Sequence, residues 1–242
     1  MRFRAVAKRS VERMPRGMQR EIRRLYYRHC ARQDGFSPCE PEMELVSRVL
    51  QPGDWVLDIG AYVGHYTIPA ARKVGDRGRV VAVEPLLENF EILTSNVAAA
   101  GCRNVTLLNM AASSVDGTVG MRTPLREDGF PAHSRTHMGT DGPGPMVLAF
   151  PLDRLRTEGM NRLRVVKVDV EGHESGVLEG MLEVLAVARP LIIVEASGNH
   201  RSDEVRSMGY ELARLGHSPN VIYARDGHMR AIEETRTRLR SG

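Results

Sequence analysis

The chain is short of cysteine, of aromatic residues and of long apolar runs, and each shortage closes off a class of protein. Its three cysteines, Cys30, Cys39 and Cys102, form no C-x-x-C pair and leave one odd, so neither a zinc knuckle nor a disulfide framework is expected. Free thiols of this kind behave as small hydrophobes, and a reducing, cytoplasmic setting suits them. No stretch approaches the ~20 apolar residues that span a bilayer. The basic start MRFRAVAKRS has no apolar run behind it, so a secretory signal is not expected either. Aromatics are 5% of the chain and do not interleave with basic residues, which argues against nucleic acid as a partner.

What is present suffices for one α/β domain: 242 residues, 42% apolar and 26% charged, enough for a proper core. The net charge of +4 hides an asymmetry. Residues 1–32 alone carry +9, leaving −5 for the remaining 210 residues. We therefore expect a basic N-terminal helical arm over 1–40 and a single domain over 41–242. Within the arm, Val11, Met14, Met18, Ile22, Leu25 and His29 recur every three or four residues, an apolar helical stripe with arginines on the other faces. Pro15 either starts or kinks this helix. The plain reading is a docked helix with a solvated basic face. The sharper ones are a nucleic-acid arm, a membrane-surface contact, or a lid over an acidic ligand.

From residue 42 onward short β-branched runs alternate with helical patterns, which predicts a mostly parallel sheet covered on both faces. Strands are expected at 55–59, 80–84, 105–110, 165–170 and 191–195, with helices near 40–50, 64–74, 86–100 and 174–188. YELARL (210–215) and NVIYAR (220–225) suggest an antiparallel pair at the sheet edge, followed by a polar tail. Residues 123–145 hold four glycines, four prolines and two histidines without periodicity. So long a loop reads either as a lid or as a disordered surface insertion, and its flanks TVGMR and MVLAFPLD can pair as a hairpin beneath it.

Ligands of open parallel sheets bind beyond the carboxyl ends of the strands. Three such ends carry suggestive residues. In VLDIGAYVGHYT (56–67), Gly60 and Gly64 permit a tight turn, and Asp58 can accept a hydrogen bond from a ligand's amino group. In VVAVEP (80–85), Glu84 follows Gly60 by 24 residues, close to the offset at which an acid takes a ribose hydroxyl. In LLNMA (107–111), Asn109 and Met110 can sit beside an adenine. Together they predict an adenosine-type pocket. The pattern is D-x-G-x-x-x-G, with Tyr62 where a dinucleotide fold would have its second glycine. That disfavours a nicotinamide or flavin dinucleotide, whose pyrophosphate needs the helix N-terminus.

These runs, with AVEP and Asn96, NMAAS, PLDRL, VVKVDVEGHESGVLEG and ARPLIIVEA, resemble the FkbM family of S-adenosylmethionine-dependent methyltransferases over roughly residues 54–198. The resemblance implies a Rossmann-like class I fold, α/β and doubly wound, with a seven-stranded sheet whose last strand is antiparallel. It implies S-adenosylmethionine as cofactor, held around Asp58, Gly60, Ala61, Tyr62 and Gly64 for the methionine part. Glu84 and Pro85 then serve the ribose, with Asn109, Met110, Ala111 and Asp169 completing the site. The implied reaction is methyl transfer to a hydroxyl of a small molecule, often a sugar or polyketide-type natural product. N-methylation, or a nucleotide-binding protein using its arm on nucleic acid, are the alternatives, and a homo-oligomer stays open.

Catalytic candidates cluster in VKVDVEGHES (166–175). Strand alternation sets Lys167, Asp169 and Glu171 on one face. Lys167 lies deepest and needs a carboxylate; Asp153 of PLDRL is the candidate partner. An alcohol acceptor needs a base or a metal. In one version His173, Glu171 or a loop histidine (His133, His137) takes the proton. In the other, Asp169 or Glu171 joins Glu195 on a neighbouring strand end to hold Mg²⁺. Glu174 reads as a first-turn acid opposing the helix dipole.

Overall fold

The structure, a computed structural model, describes residues 14–33, 35–125, 131–139, 144–155, 159–195 and 202–241. The arm contributes α1 (Arg16–Ala31) and the domain begins with α2 (Pro41–Val49). Proline at the first helical position and Glu42 and Glu44 in the first turn start α2 where the helix leaves amides unpaired. There follow β1 (Trp55–Ile59), α3 (Thr67–Val74), β2 (Arg79–Val83), α4 (Leu87–Ala99), β3 (Val105–Leu108) and β4 (Ala111–Ala112). An inserted segment carries β5 (Gly117–Arg122), β6 (His137–Met138) and β7 (Met146–Phe150). The chain then forms β8 (Leu163–Val168), α5 (Glu174–Glu179), α6 (Leu182–Ala188), β9 (Leu191–Glu195), α7 (Asp203–Ser207), β10 (Glu211–Ala213), β11 (Asn220–Ala224) and α8 (Asp226–Ser241).

The main sheet has seven strands in the order β10-β11-β9-β8-β1-β2-β3. Its pairs are parallel from β9 through β3, while β11 runs antiparallel to both β9 and β10. This is the expected doubly wound sheet with an antiparallel last strand. All five residues of β1 are buried, as a central strand covered on both faces requires. Alternation splits its neighbours between two cores. Leu57 and Ile59 pack with Val83, Val168 and Val194 on one face, Val56 with Val80, Val165 and Ile193 on the other. Asp58 and Lys167 are direct partners in the β1–β8 register and share the second face. Asp169 and Glu195 follow the same parity.

Several expectations change. The 174–188 helix is two helices, broken at Gly180, where a Cβ would collide with the carbonyl oxygen of Ser113. The polar tail is α8, in which His228, Ile232 and Thr235 are buried at helical spacing. The hairpin flanking the long loop forms as β5 pairs antiparallel with β7. The arm's apolar stripe does not dock: Met18 and Leu25 are 52% and 51% exposed, and Val11 lies outside the described residues. The docked side of α1 instead presents Arg23, Tyr27 and Ala31 to α4 and the glycine turn. That contact is mixed: Tyr27, Cys30 and Ala31 pack with Ile92, Leu93 and Val97 of α4, while Arg20 pairs with Glu91 and Arg23 with Asn89. No helix among the described residues is long and apolar enough to cross a membrane.

Candidate active site

The glycine turn joins the ends of three strands. Gly60 has φ +80°, and a Cβ there would run into the backbone carbonyl oxygen of Asp169 at the end of β8. Only glycine lets the two strand ends approach so closely. The amides of Gly60 and Ala61 both donate to the Val83 carbonyl, at 2.9 and 3.0 Å. Tyr62 is left-handed, φ +51°, and its amide donates to Glu84 Oε2 at 2.8 Å. Asn96 Nδ2 donates to the Val63 carbonyl at 2.8 Å and pins the turn from α4.

Glu84 is buried at the end of β2. It also accepts from the Leu86 amide at 3.0 Å and from Asn89 Nδ2 at 3.3 Å. Burial pushes its carboxyl up to about 7, against the pull of these donors. Asp58, on β1, accepts from Thr67 Oγ1 at 2.5 Å. Burial raises it to about 6, with the Thr67 hydroxyl and the Lys167 charge opposing. Asn109 donates to the carbonyls of Glu84 and Pro85 at 2.9 and 3.0 Å, so its amide holds the turn after β2.

At the other end of the same cavity the charges meet differently. Lys167 is 2% exposed, and its Nζ lies 3.6 Å from Asp169 Oδ2 and 3.7 Å from Glu195 Oε2, above the Tyr66 ring at 5.3 Å. Nζ makes no hydrogen bond. Burial, and then Asp169, pushes the Glu195 carboxyl up to about 7. Burial and Asp169 also raise Glu171, whose backbone is left-handed at φ +54°. The Tyr66 hydroxyl donates to Glu40 Oε2 at 2.5 Å, and Asn220 Nδ2 donates to the same oxygen at 3.2 Å.

The expected Lys167–Asp153 pair does not form. Asp153 instead accepts from the amides of Glu183 and Val184, 3.1 and 2.8 Å away, at the start of α6. Its place in the chain suggested a partner, but β9 is the strand beside β8 and brings Glu195 to the lysine. The magnesium version does not fit these residues either. Among the described residues no three His, Cys, Asp or Glu side chains converge as a metal site, and the Lys167 ammonium already stands between Asp169 and Glu195.

The cavity is lined by Asp58, Gly60, Ala61, Tyr62, Glu84, Pro85, Ala111, Asp169 and Glu171 of the expected set. Gly64, Asn109, Met110, His173 and Glu195 are not on its wall. His173 Nε2 lies 3.2 Å from Ser113 Oγ, and burial lowers its imidazole. From the described part of the 123–145 segment, His133, Ser134, Thr136 and Met138 are on the cavity wall, beside Met121 of β5. Of the loop histidines, His133 Nδ1 sits 3.3 Å from Glu88 Oε2, and His137 Nδ1 lies 3.2 Å from the Arg135 carbonyl oxygen. Sequence reasoning missed Pro38, Glu40, Tyr66 and Asn89, which also line the cavity. Only Asn89, five residues after Glu84, has a sequence signal that could have found it.

A doubly wound sheet with this strand order, a D-x-G turn and an acid at the next strand end define a class I S-adenosylmethionine-dependent methyltransferase. The model of the methyltransferase FkbM domain matches residues 58–233, and the chain belongs to that family. A similar relative is the hexuronic acid methyltransferase AglP of Haloferax volcanii, 25% identical over 190 residues that cover 76% of this chain and 75% of that protein. A shorter match, 41% identical over 59 residues, is to protein-L-isoaspartate O-methyltransferase 1 of Archaeoglobus fulgidus, covering 24% of this chain and 27% of that one. Among solved structures, the FkbM methyltransferase of Methylobacillus flagellatus KT is similar in fold, with a TM-score of 0.50 and 16% identity. The alignment covers 84% of this chain and 59% of that one.

Proposed function

We propose that this methyltransferase acts on a hydroxyl of a small molecule of the sugar or polyketide type, with Asp169, the cavity-wall member of the Asp169–Glu195 pair, receiving the proton. The observation that carries the reading is the meeting of these two carboxylates, at adjacent strand ends, over the buried Lys167. The name of the Haloferax volcanii relative supports a sugar. S-adenosylmethionine, when bound, supplies an electrophilic methyl group on its sulfonium sulphur. The residues fit it: Asp58 for the amino group, the Gly60–Tyr62 turn for the methionine part, and Glu84 for the ribose.

The protein's task in such an in-line displacement is to align the acceptor and remove its proton. Glu195, raised to about 7 by burial and then by Asp169, shares that proton with Asp169 and still ionises near neutral pH. Lys167 balances the charge of the pair, so that its members remain together at the end of a buried strand. Glu171 and Glu40, with Met121, Thr136 and Met138 of the same cavity lining, are assigned to the acceptor.

One observation favours a second reading, transfer to an amine. Among the described residues, Glu40, Asp58, Glu84, Asp169 and Glu171 line the cavity against the single ammonium of Lys167, a balance that attracts a cation. A methylation screen with S-adenosylmethionine against neutral sugars, polyketide alcohols and amines separates the two. O-linked methyl in the product spectra is expected. Turnover of amines alone overturns the hydroxyl reading.

A further inference from the structure

We propose that Arg23 of the basic arm is a positioning residue for the cofactor's ribose, acting on Glu84 through Asn89 and Tyr62. The proposal rests on the reading of Glu84 as the ribose acid. The arm lies outside the matched 58–233 domain, yet one of its arginines turns inward. Arg23 Nη2 donates to Asn89 Oδ1 at 2.9 Å. The Asn89 amide nitrogen donates in turn to Glu84 Oε1 at 3.3 Å and to the carbonyl of His133 at 3.2 Å. A guanidinium can only donate, while a carboxylate and a carbonyl accept here, so the amide has a single consistent orientation. Asn89 is 2% exposed, so its bonds are made within the protein rather than with water.

A second path leads from Arg23 to the same carboxylate. Its guanidinium carbon stands 5.3 Å from the Tyr62 ring centroid and 5.9 Å from that of Tyr27. Tyr62 is the residue whose backbone amide donates to Glu84 Oε2. Arg23 therefore steadies a donor to each oxygen of Glu84, one through a hydrogen bond and one through a ring face. Asn89 also ties in the 123–145 segment through His133. The arm and the insertion thus meet at one buried amide beside the ribose acid. Removing the guanidinium leaves Asn89 Oδ1 unpaired inside the protein. An amide released in this way turns toward whatever donor remains and gives up its bond to Glu84. Of the arm's eleven basic residues, this one is thereby assigned to the cofactor.

Calorimetric titration of the full chain with S-adenosylhomocysteine tests this, beside an analogue lacking the 2′- and 3′-hydroxyls. Arg23→Ala is expected to weaken S-adenosylhomocysteine about tenfold and to leave the dideoxy analogue unchanged. Arg23→Lys is expected to recover part of the loss, and Arg32→Ala, on the exposed side of the arm, none to begin with. Should Arg23→Ala fail to fold, Asn89→Ala carries the same expectation. Wild-type affinity for S-adenosylhomocysteine in a folded Arg23 or Asn89 variant overturns the proposal, as does an equal loss for both ligands. Absence of binding by the wild-type protein overturns the ribose reading itself.

Discussion

The two ends of the cavity are held together by different forces. At the β1–β2 end each carboxylate is met by short, directional donors: Thr67 on Asp58, and two amides and Asn89 on Glu84. At the β8–β9 end Lys167, Asp169 and Glu195 stand 3.6 and 3.7 Å apart, and the lysine makes no hydrogen bond. Hydrogen bonds fix direction, so the first end is shaped before any ligand arrives. Charge attraction falls slowly with distance and changes with every proton, so the second end can shift a proton without rebuilding its geometry. A binding subsite suits the first kind of support and a reacting one the second.

The sharpest break comes from Gly60→Ala. It sets a Cβ against the Asp169 carbonyl at a left-handed backbone, and so pries the two ends apart. We expect it to abolish measurable binding of S-adenosylhomocysteine by calorimetry. Next, Asp169→Asn and Glu195→Gln should lower kcat by about 10²–10⁴, the range of general-base losses, while leaving cofactor affinity close to wild type. Loss of affinity with unchanged kcat would reverse the assignment of the two ends.

A smaller effect is expected from pH. Asp58 and Glu84 are raised to about 6 and about 7 by burial, so each holds its proton more tightly folded than unfolded. Their contribution to stability is therefore full below the ordinary carboxylate range and is lost as pH rises through 6 to 7. Thermal melts of the ligand-free protein between pH 5 and 8 should fall more steeply for wild type than for Asp58→Asn or Glu84→Gln. Equal slopes would mean the carboxyls are not buried as described. The smallest change is expected from His173→Ala, less than about twofold in kcat, because the imidazole faces Ser113 rather than the cavity. A large loss there would extend the reacting end toward β4.

Much of this was legible in the chain. The β-branched runs and their order sufficed for the doubly wound sheet, and strand alternation alone set Lys167 and Asp169 on one face. The hairpin below the 123–145 segment could also be read. The arm's docking could not. Its apolar stripe is real in sequence, yet the neighbouring face meets α4, where Tyr27 and Ala31 join the apolar cluster and Arg23 bonds Asn89. The polar tail misled for a related reason. His228, Ile232 and Thr235 are buried and Met229 and Ala231 pack partly against the core, while most of the remaining residues of α8 are charged. Lys167 was correctly read as needing a carboxylate, but the choice of Asp153 followed chain order where strand order decides.

Sequence by itself determined the fold class, the glycine turn and the carboxylates at the strand ends, because periodicity and backbone freedom are local properties of the chain. Which of those carboxylates meet was decided only by tertiary structure. Glu195 reaches Lys167 because β9 lies beside β8, and Arg23 reaches Asn89, a donor to Glu84, because α1 packs on α4. Such contacts join residues far apart in the chain, and no local pattern of residues records them.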